Sequence, residues 1–261
     1  VTITGTNFIT VSAVKFNTTT VPAGNYTVVS ATQIKANVPA GATTGKISVT
    51  TPAGTGTSAT DFIILFPPVI TSFNPANGSP GSNVVVTGSG FVDISSVKFN
   101  EVEAGAANIT INSPNQITVK VPAGATSGKI KVTNALSTAT STNTFYVTPF
   151  ISAITPTSTS AGSTITISGT NLEGSTVNFG STPATPLTNS GISISVVVPT
   201  GVLGAMNVTV TNNGGTSNSR TFTATPPVVL DEIVATKNIV GQLLLLKGSN
   251  LLGATKVLFG N

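Results

Sequence analysis

Val84-Val85-Val86-Thr87-Gly88-Ser89-Gly90-Phe91, followed by Val97-Lys98-Phe99-Asn100, decides how this chain is read. The same pattern occurs earlier as Val1-Thr2-Ile3-Thr4-Gly5-Thr6-Asn7-Phe8 with Val14-Lys15-Phe16-Asn17. It recurs as Thr164-Ile165-Thr166-Ile167-Ser168-Gly169-Thr170-Asn171-Leu172 with Val177-Asn178-Phe179-Gly180. A last copy surrounds Gly248, with Val257-Leu258-Phe259-Gly260 after it. Gly5, Gly88, Gly169 and Gly248 stand 83, 81 and 79 residues apart. That period is too long for a solenoid repeat and suits a small domain with its own core. The chain therefore reads as a tandem array.

Within each copy, apolar residues alternate with Thr or Ser, the period of a half-buried strand. The glycine after the first such strand suits a bulge or a tight turn needing positive φ. Phe16, Phe99, Phe179 and Phe259 fall at matching places, as do Phe8 and Phe91, so they are expected in cores. A second landmark is Val38-Pro39-Ala40-Gly41, repeated at Val121-Pro122-Ala123-Gly124 and Val198-Pro199-Thr200-Gly201. Ala53-Gly54-Thr55-Gly56 reads as a hairpin loop and Phe62–Phe66 as a last strand. The sequence thus predicts an all-β chain of tandem immunoglobulin-like β-sandwiches arranged end to end. Expected boundaries are 1–66, 69–148, 150–226 and 228–261. The first copy lacks the opening strand that the others show at Val69, Phe150 and Val228, and the fourth stops after about three strands. The linkers Phe66-Pro67-Pro68, Thr148-Pro149-Phe150 and Pro226-Pro227 are short and proline-fixed, which limits bending.

These residues resemble the IPT/TIG domain. The likeness rests on Ile70, Phe73, Pro75, Gly78, Gly81 and Val84, on the Gly-Ser-Gly-Phe and Gly-Thr-Asn-Phe/Leu turns, and on Val-x-Phe-Asn/Gly. The fourth copy departs most, because Val229–Ile233 lacks the proline and paired glycines. The resemblance implies an immunoglobulin-like fold, found in transcription factors, plexin-type receptors and bacterial surface proteins. It implies little about function, because one fold hosts many roles.

Composition narrows the chemistry. Only 7% of the 261 residues are charged, the net charge is +4, and there is no histidine or cysteine. Triads and thiolate or imidazole metal sites need residues that are missing here. Glu101 and Glu103 on one strand face fall short of the six to eight oxygens calcium takes. No metal or cofactor is expected. The eleven basic residues are scattered, which argues against nucleic acid as a partner. No apolar run is long enough to span a membrane. The first residues already read as a strand, so a segment upstream is expected.

What remains is a non-enzymatic stalk or fibre segment of a bacterial cell-surface or extracellular protein, spacing an adhesive tip. Its expected partners are other domains of the same longer chain. Lightly guarded strand edges leave homo-association open, and the groove beside Val1–Thr4 is expected to be vacant, covered locally or filled by another chain. The alternative is a surface glycan- or protein-binding module using loops 22–27 and 101–108, or an accessory segment of a polysaccharide-degrading enzyme. For that role Tyr26 is the candidate ligand platform, as an aromatic with no counterpart in the other copies.

Overall fold

The computed structural model describes residues 1–234, 241, 243–251, 256 and 257. The chain divides into two compact units, Val1–Pro67 and Pro68–Asn261. Apart from a 3-10 turn at Ala106–Asn108, the described secondary structure is β.

The first unit is one sandwich. One sheet runs Thr2–Thr4, Gln33–Ala36, Tyr26–Ser30 in spatial order. The other runs Thr19–Thr20, Ala13–Phe16, Gly45–Thr51, Gly54–Phe62. Val14, Phe16, Ile34 and Val49 are buried between them. The final hairpin differs from the sequence expectation. Gly54 pairs with Thr51 and Gly56 with Val49, so the turn is at Pro52-Ala53 and those glycines are in the strand. That strand ends at Phe62, and Ile63–Phe66 are not strand.

Among the described residues, the second unit holds two cores. In the second sandwich, Val84 and Val86 face inward opposite Val119 and Ile117, while Val85 and Thr87 face out. Its other sheet carries Val97, Phe99, Ile130 and Val132 inward. Each core is pinned by a T-shaped ring pair at corresponding places in the three copies. The pairs are Phe16–Phe62 at 5.1 Å, Phe99–Phe145 at 4.9 Å and Phe179–Phe222 at 5.6 Å. Edge-to-face contact brings a ring's positive edge to a negative face, which stabilises such pairs beyond burial alone.

The opening strand changes sheets in the second and third sandwiches. Val69–Asn74 lies antiparallel to Asn83–Ser89, then Asn77–Gly78 runs parallel to Tyr146–Val147 in the other layer. Phe150–Thr155 and Ser158–Ser160 do the same. The bonds Asn74-Pro75 and Thr155-Pro156 between the two halves are cis.

The repeated glycines act through space rather than through backbone sign. None of Gly5, Gly88, Gly169 and Gly248 has positive φ. A side chain on Gly88 would begin 1.8 Å from the Val69 carbonyl oxygen. On Gly169 it would begin 1.9 Å from that of Phe150, and on Gly248 1.9 Å from that of Val229. The register slips beside each of these places, so the opening strand crosses its neighbour at a bulge. Gly5 faces no such carbonyl; its nearest neighbour is the tip of the Phe8 ring at 2.6 Å. The left-handed residue comes two places later, at Asn7, Gly90, Asn171 and Asn250, with φ from 54° to 71°. Asn and Gly tolerate that conformation best. Past it the chain turns inward, and Phe91 or Leu172 is buried completely.

Gly88→Ala and Gly169→Ala should each lower stability by about 3 kcal/mol, since a rigid backbone oxygen cannot move aside. Gly5→Ala should cost only about 1 kcal/mol, because a half-buried ring tip can yield. Urea midpoints of the three variants check the order.

Candidate functional site

The residues singled out in the sequence are mostly structural in place. Phe16, Phe99 and Phe179 are buried; Phe259 lies outside the described residues. Tyr26 sits half-buried on the strand Tyr26–Ser30, packed against the first core, and its hydroxyl donates to the Val11 carbonyl at 3.4 Å. Glu101 and Glu103 do not share a ligand position. Glu101 pairs with the Lys131 ammonium at 2.6 Å, while Glu103 accepts from the Ser96 hydroxyl at 2.6 Å and the Val97 amide at 3.1 Å. The Lys131 hydrogen bond and charge hold the Glu101 carboxyl below its ordinary range, with a smaller pull from Lys98.

Two concavities stand out among the described residues. One, of about 770 Å³, lies beside Val1–Phe8 and is lined by Ile47, Val49 and the strand residues Gly54–Ser58. This is the groove expected from the sequence. The other, of about 680 Å³, lies between the second and third sandwiches, within the second compact unit.

The second concavity depends on a joint. Asn171 is held left-handed in the Gly-Thr-Asn-Leu turn, and its amide donates to the Ala125 carbonyl at 3.2 Å. From the other side, the Asn77 amide donates to the Asn213 carbonyl at 3.3 Å. The linker residue Thr148 donates its hydroxyl to the Gly214 carbonyl at 2.9 Å. Gly214 is buried, and a side chain there would begin 2.2 Å from the Val147 carbonyl oxygen. A glycine is needed for that approach.

Asn212 fixes the third-sandwich side of this joint. Its amide donates to the carbonyls of Asn171 at 2.9 Å and Glu173 at 3.1 Å, and its oxygen accepts the Gly214 amide at 2.8 Å. Asn134 plays the same part in the second sandwich, donating to Gly90 and accepting from the Leu136 and Ser137 amides. The sequence signal for this pair is an Asn closing a strand just before a turn, at corresponding places in two copies.

Around the joint the cleft is lined by Tyr146, Asn100, Thr126, Asn171, Glu173, Ile192 and Asn213, among others. Only Glu173 of these carries a formal charge. Tyr146, which sequence reasoning missed, lacks an aromatic counterpart just as Tyr26 does. The residue after the core phenylalanine is Ile63 in the first copy and Thr223 in the third. The Tyr146 backbone is fixed by donation to Ala76 at 3.0 Å, and its ring is half-buried. No cluster of three or more acidic side chains that could hold a metal occurs among the described residues. No helix among them is long and apolar enough to cross a membrane.

The chain matches the IPT/TIG domain over residues 1–64, 68–147 and 149–224, and it belongs to that family. No curated protein matches it. Among solved structures it resembles one determined with xylogluco-oligosaccharide, at 23% identity and TM-score 0.39, covering 85% of this chain and 56% of that one. It also resembles SGBP-B from a complex xyloglucan utilization locus of Bacteroides uniformis, at 21% identity and TM-score 0.27, covering 62% and 51%. A third is SGBP-B of the Bacteroides ovatus mixed-linkage glucan utilization locus in complex with a mixed-linkage heptasaccharide. There the identity is 16%, the TM-score 0.29 and the coverage 92% and 68%. The chain thus spans about half the length of the first two.

The Glu101–Lys131 pair yields a titration test. A carboxyl whose folded midpoint is lowered adds stability above the ordinary carboxylate range, and loses it as pH falls through the lowered value. The pair is exposed, so that addition is small. Lys131→Met should move the Glu101 midpoint back up toward the ordinary value in a carbon-13 NMR titration.

Proposed function

We propose that this chain is a non-enzymatic segment of an extracellular or cell-surface bacterial protein that handles glycans. Its own part is that of an arm holding its second and third sandwiches in fixed register. The observation behind this reading is the joint between the second and third sandwiches. Tandem domains move against each other by default unless their contact is extensive or specific. Here three neutral hydrogen bonds, a proline linker and a glycine-sized approach act on one short junction. Each bond is of ordinary strength, about 1 kcal/mol net. Together they tie three separate segments of the second sandwich and linker, at Asn77, Ala125 and Thr148, to the third sandwich.

The glycan half of the reading is supported by surface chemistry. A chain with 7% charged residues, rich in Thr, Ser and Asn, presents hydroxyls and amides rather than fields. Such a surface meets neutral polysaccharide without the desolvation of charge, and lacks the concentrated cations that polyphosphate needs. A second reading, in which the array itself binds glycan, is favoured by the cleft beside the joint, whose lining carries one formal charge among amides, hydroxyls and apolar groups.

The absence of cysteine lets two spin labels be placed without background, at Ala107→Cys and Ser181→Cys. Both positions are exposed. Pulsed electron spin resonance on the full chain should give one narrow distance distribution. Adding Gly214→Ala should broaden it. A broad distribution before that substitution would remove the arm reading.

A further inference from the structure

We propose that the cleft between the second and third sandwiches binds a neutral oligosaccharide, with the Tyr146 ring as its platform. This deepens the glycan half of the reading above and rests on it. At about 680 Å³ the cleft has the size of small-ligand sites, which run from about 300 to 1,000 Å³. The joint fixes both of its walls before any ligand arrives, so little ordering is needed on binding.

The lining decides the ligand class by elimination. It holds no lysine or arginine, so phosphates and other anions find no counter-charge. Its one carboxylate, Glu173, falls short of what a cation requires. Its large apolar members are few and interrupted by amides and hydroxyls, so it does not suit an apolar peptide face. The remaining ligand is uncharged, carries donors and acceptors around its rim, and has an apolar face. A pyranose ring has that character. Its axial C–H bonds point from a flat face, and an aromatic ring presents a negative face to them.

The polar groups that could read the rim are not consumed by the fold. Among the described residues, the Tyr146 hydroxyl, the Glu173 carboxylate and the Asn213 side chain have no hydrogen-bond partner, whereas Asn212 and the Asn171 amide are spent on holding the joint. Glu173 and Asn213 are nevertheless held in place through their backbones, since both carbonyls accept amide donors. A carboxylate and an amide together bond adjacent sugar hydroxyls, one accepting and the other doing both. Ile192, 70% exposed beside the strand Ser193–Val197, adds an apolar surface that no core needs. Apolar and hydroxyl-reading groups therefore converge from both sandwiches, and neither alone forms the site.

The test is calorimetric titration of the full chain with cello-, malto- and xyloglucan oligosaccharides, with a galacturonic acid oligomer as the anionic control. At least one neutral series should bind, and the galacturonic acid oligomer should not. Tyr146→Ala should weaken binding by about tenfold or more, as for an aromatic anchor at the centre of a contact. Glu173→Gln and Ile192→Ser should each weaken it by about threefold or more. Both sites are exposed, so thermal unfolding should be unchanged by either. If no neutral oligosaccharide binds the unsubstituted chain, both this inference and the glycan half of the proposed function fall. If binding is present but unmoved by Tyr146→Ala, Glu173→Gln and Ile192→Ser, the cleft is not the site, and glycan binding must occur elsewhere on the array.

Discussion

A carbonyl oxygen 1.8 Å from where a side chain would begin is the constraint on which the sandwiches of the second unit depend. The opening strand must cross its neighbour at Gly88 or Gly169 before it can leave one sheet and join the other. Any Cβ there would push the strands apart. The crossing seats Ile70 and Phe73, or Ile151 and Ile154, against the core. It also sends the chain on to run parallel to the last strand, closing the side of the sandwich. The turn that follows uses a left-handed Asn or Gly to aim Phe91 or Leu172 inward. One short motif therefore sets a strand crossing, a turn and a core plug.

Much of this was legible from the sequence because identical physical demands recur at a fixed spacing. Repeated Phe16, Phe99 and Phe179 mark core, and repeated glycines mark places where a side chain cannot go. The sequence could not separate two reasons for a glycine. Positive φ and lack of room leave the same letter, and only geometry assigned the first to Gly90 and the second to Gly88. The paired glycines Gly45 and Gly128 carry both a crowding and a partner. Each lies under an asparagine, Asn17 or Asn100, whose carbons come within 2.8 Å of where a side chain would be. In the third copy that asparagine is Gly180, and the place opposite the core phenylalanine is taken by Met206, which pairs with Phe222 as Gly45 pairs with Phe62.

The apolar run Phe62–Phe66 misled for a related reason. Hydrophobicity marks burial, and here it runs past the end of the sheet, with Ile64 packed on the core from a segment outside any strand. The cleft was less legible still. Its members are distant in sequence, from Pro80 to Asn213, and they converge only because the joint places two sandwiches side by side. Tyr26 stands out in the sequence as an isolated aromatic, whereas Tyr146 is masked by the phenylalanine next to it.

The joint also determines which surroundings the array tolerates. Its contacts are amide to carbonyl and hydroxyl to carbonyl, with no ionised partner. Ion pairs weaken as salt screens them, and acids and bases change charge with pH, but neutral hydrogen bonds do neither. Only two ion pairs occur among the described residues, Glu101–Lys131 and Glu232–Lys247, and neither lies in this joint. With no histidine to titrate near neutrality and no cysteine to oxidise, the three bonds across the joint do not themselves change with the ordinary chemical swings of an open medium. The angle between these two sandwiches is therefore set by geometry alone, and should be the same in fresh water, brine, mild acid or air-saturated fluid.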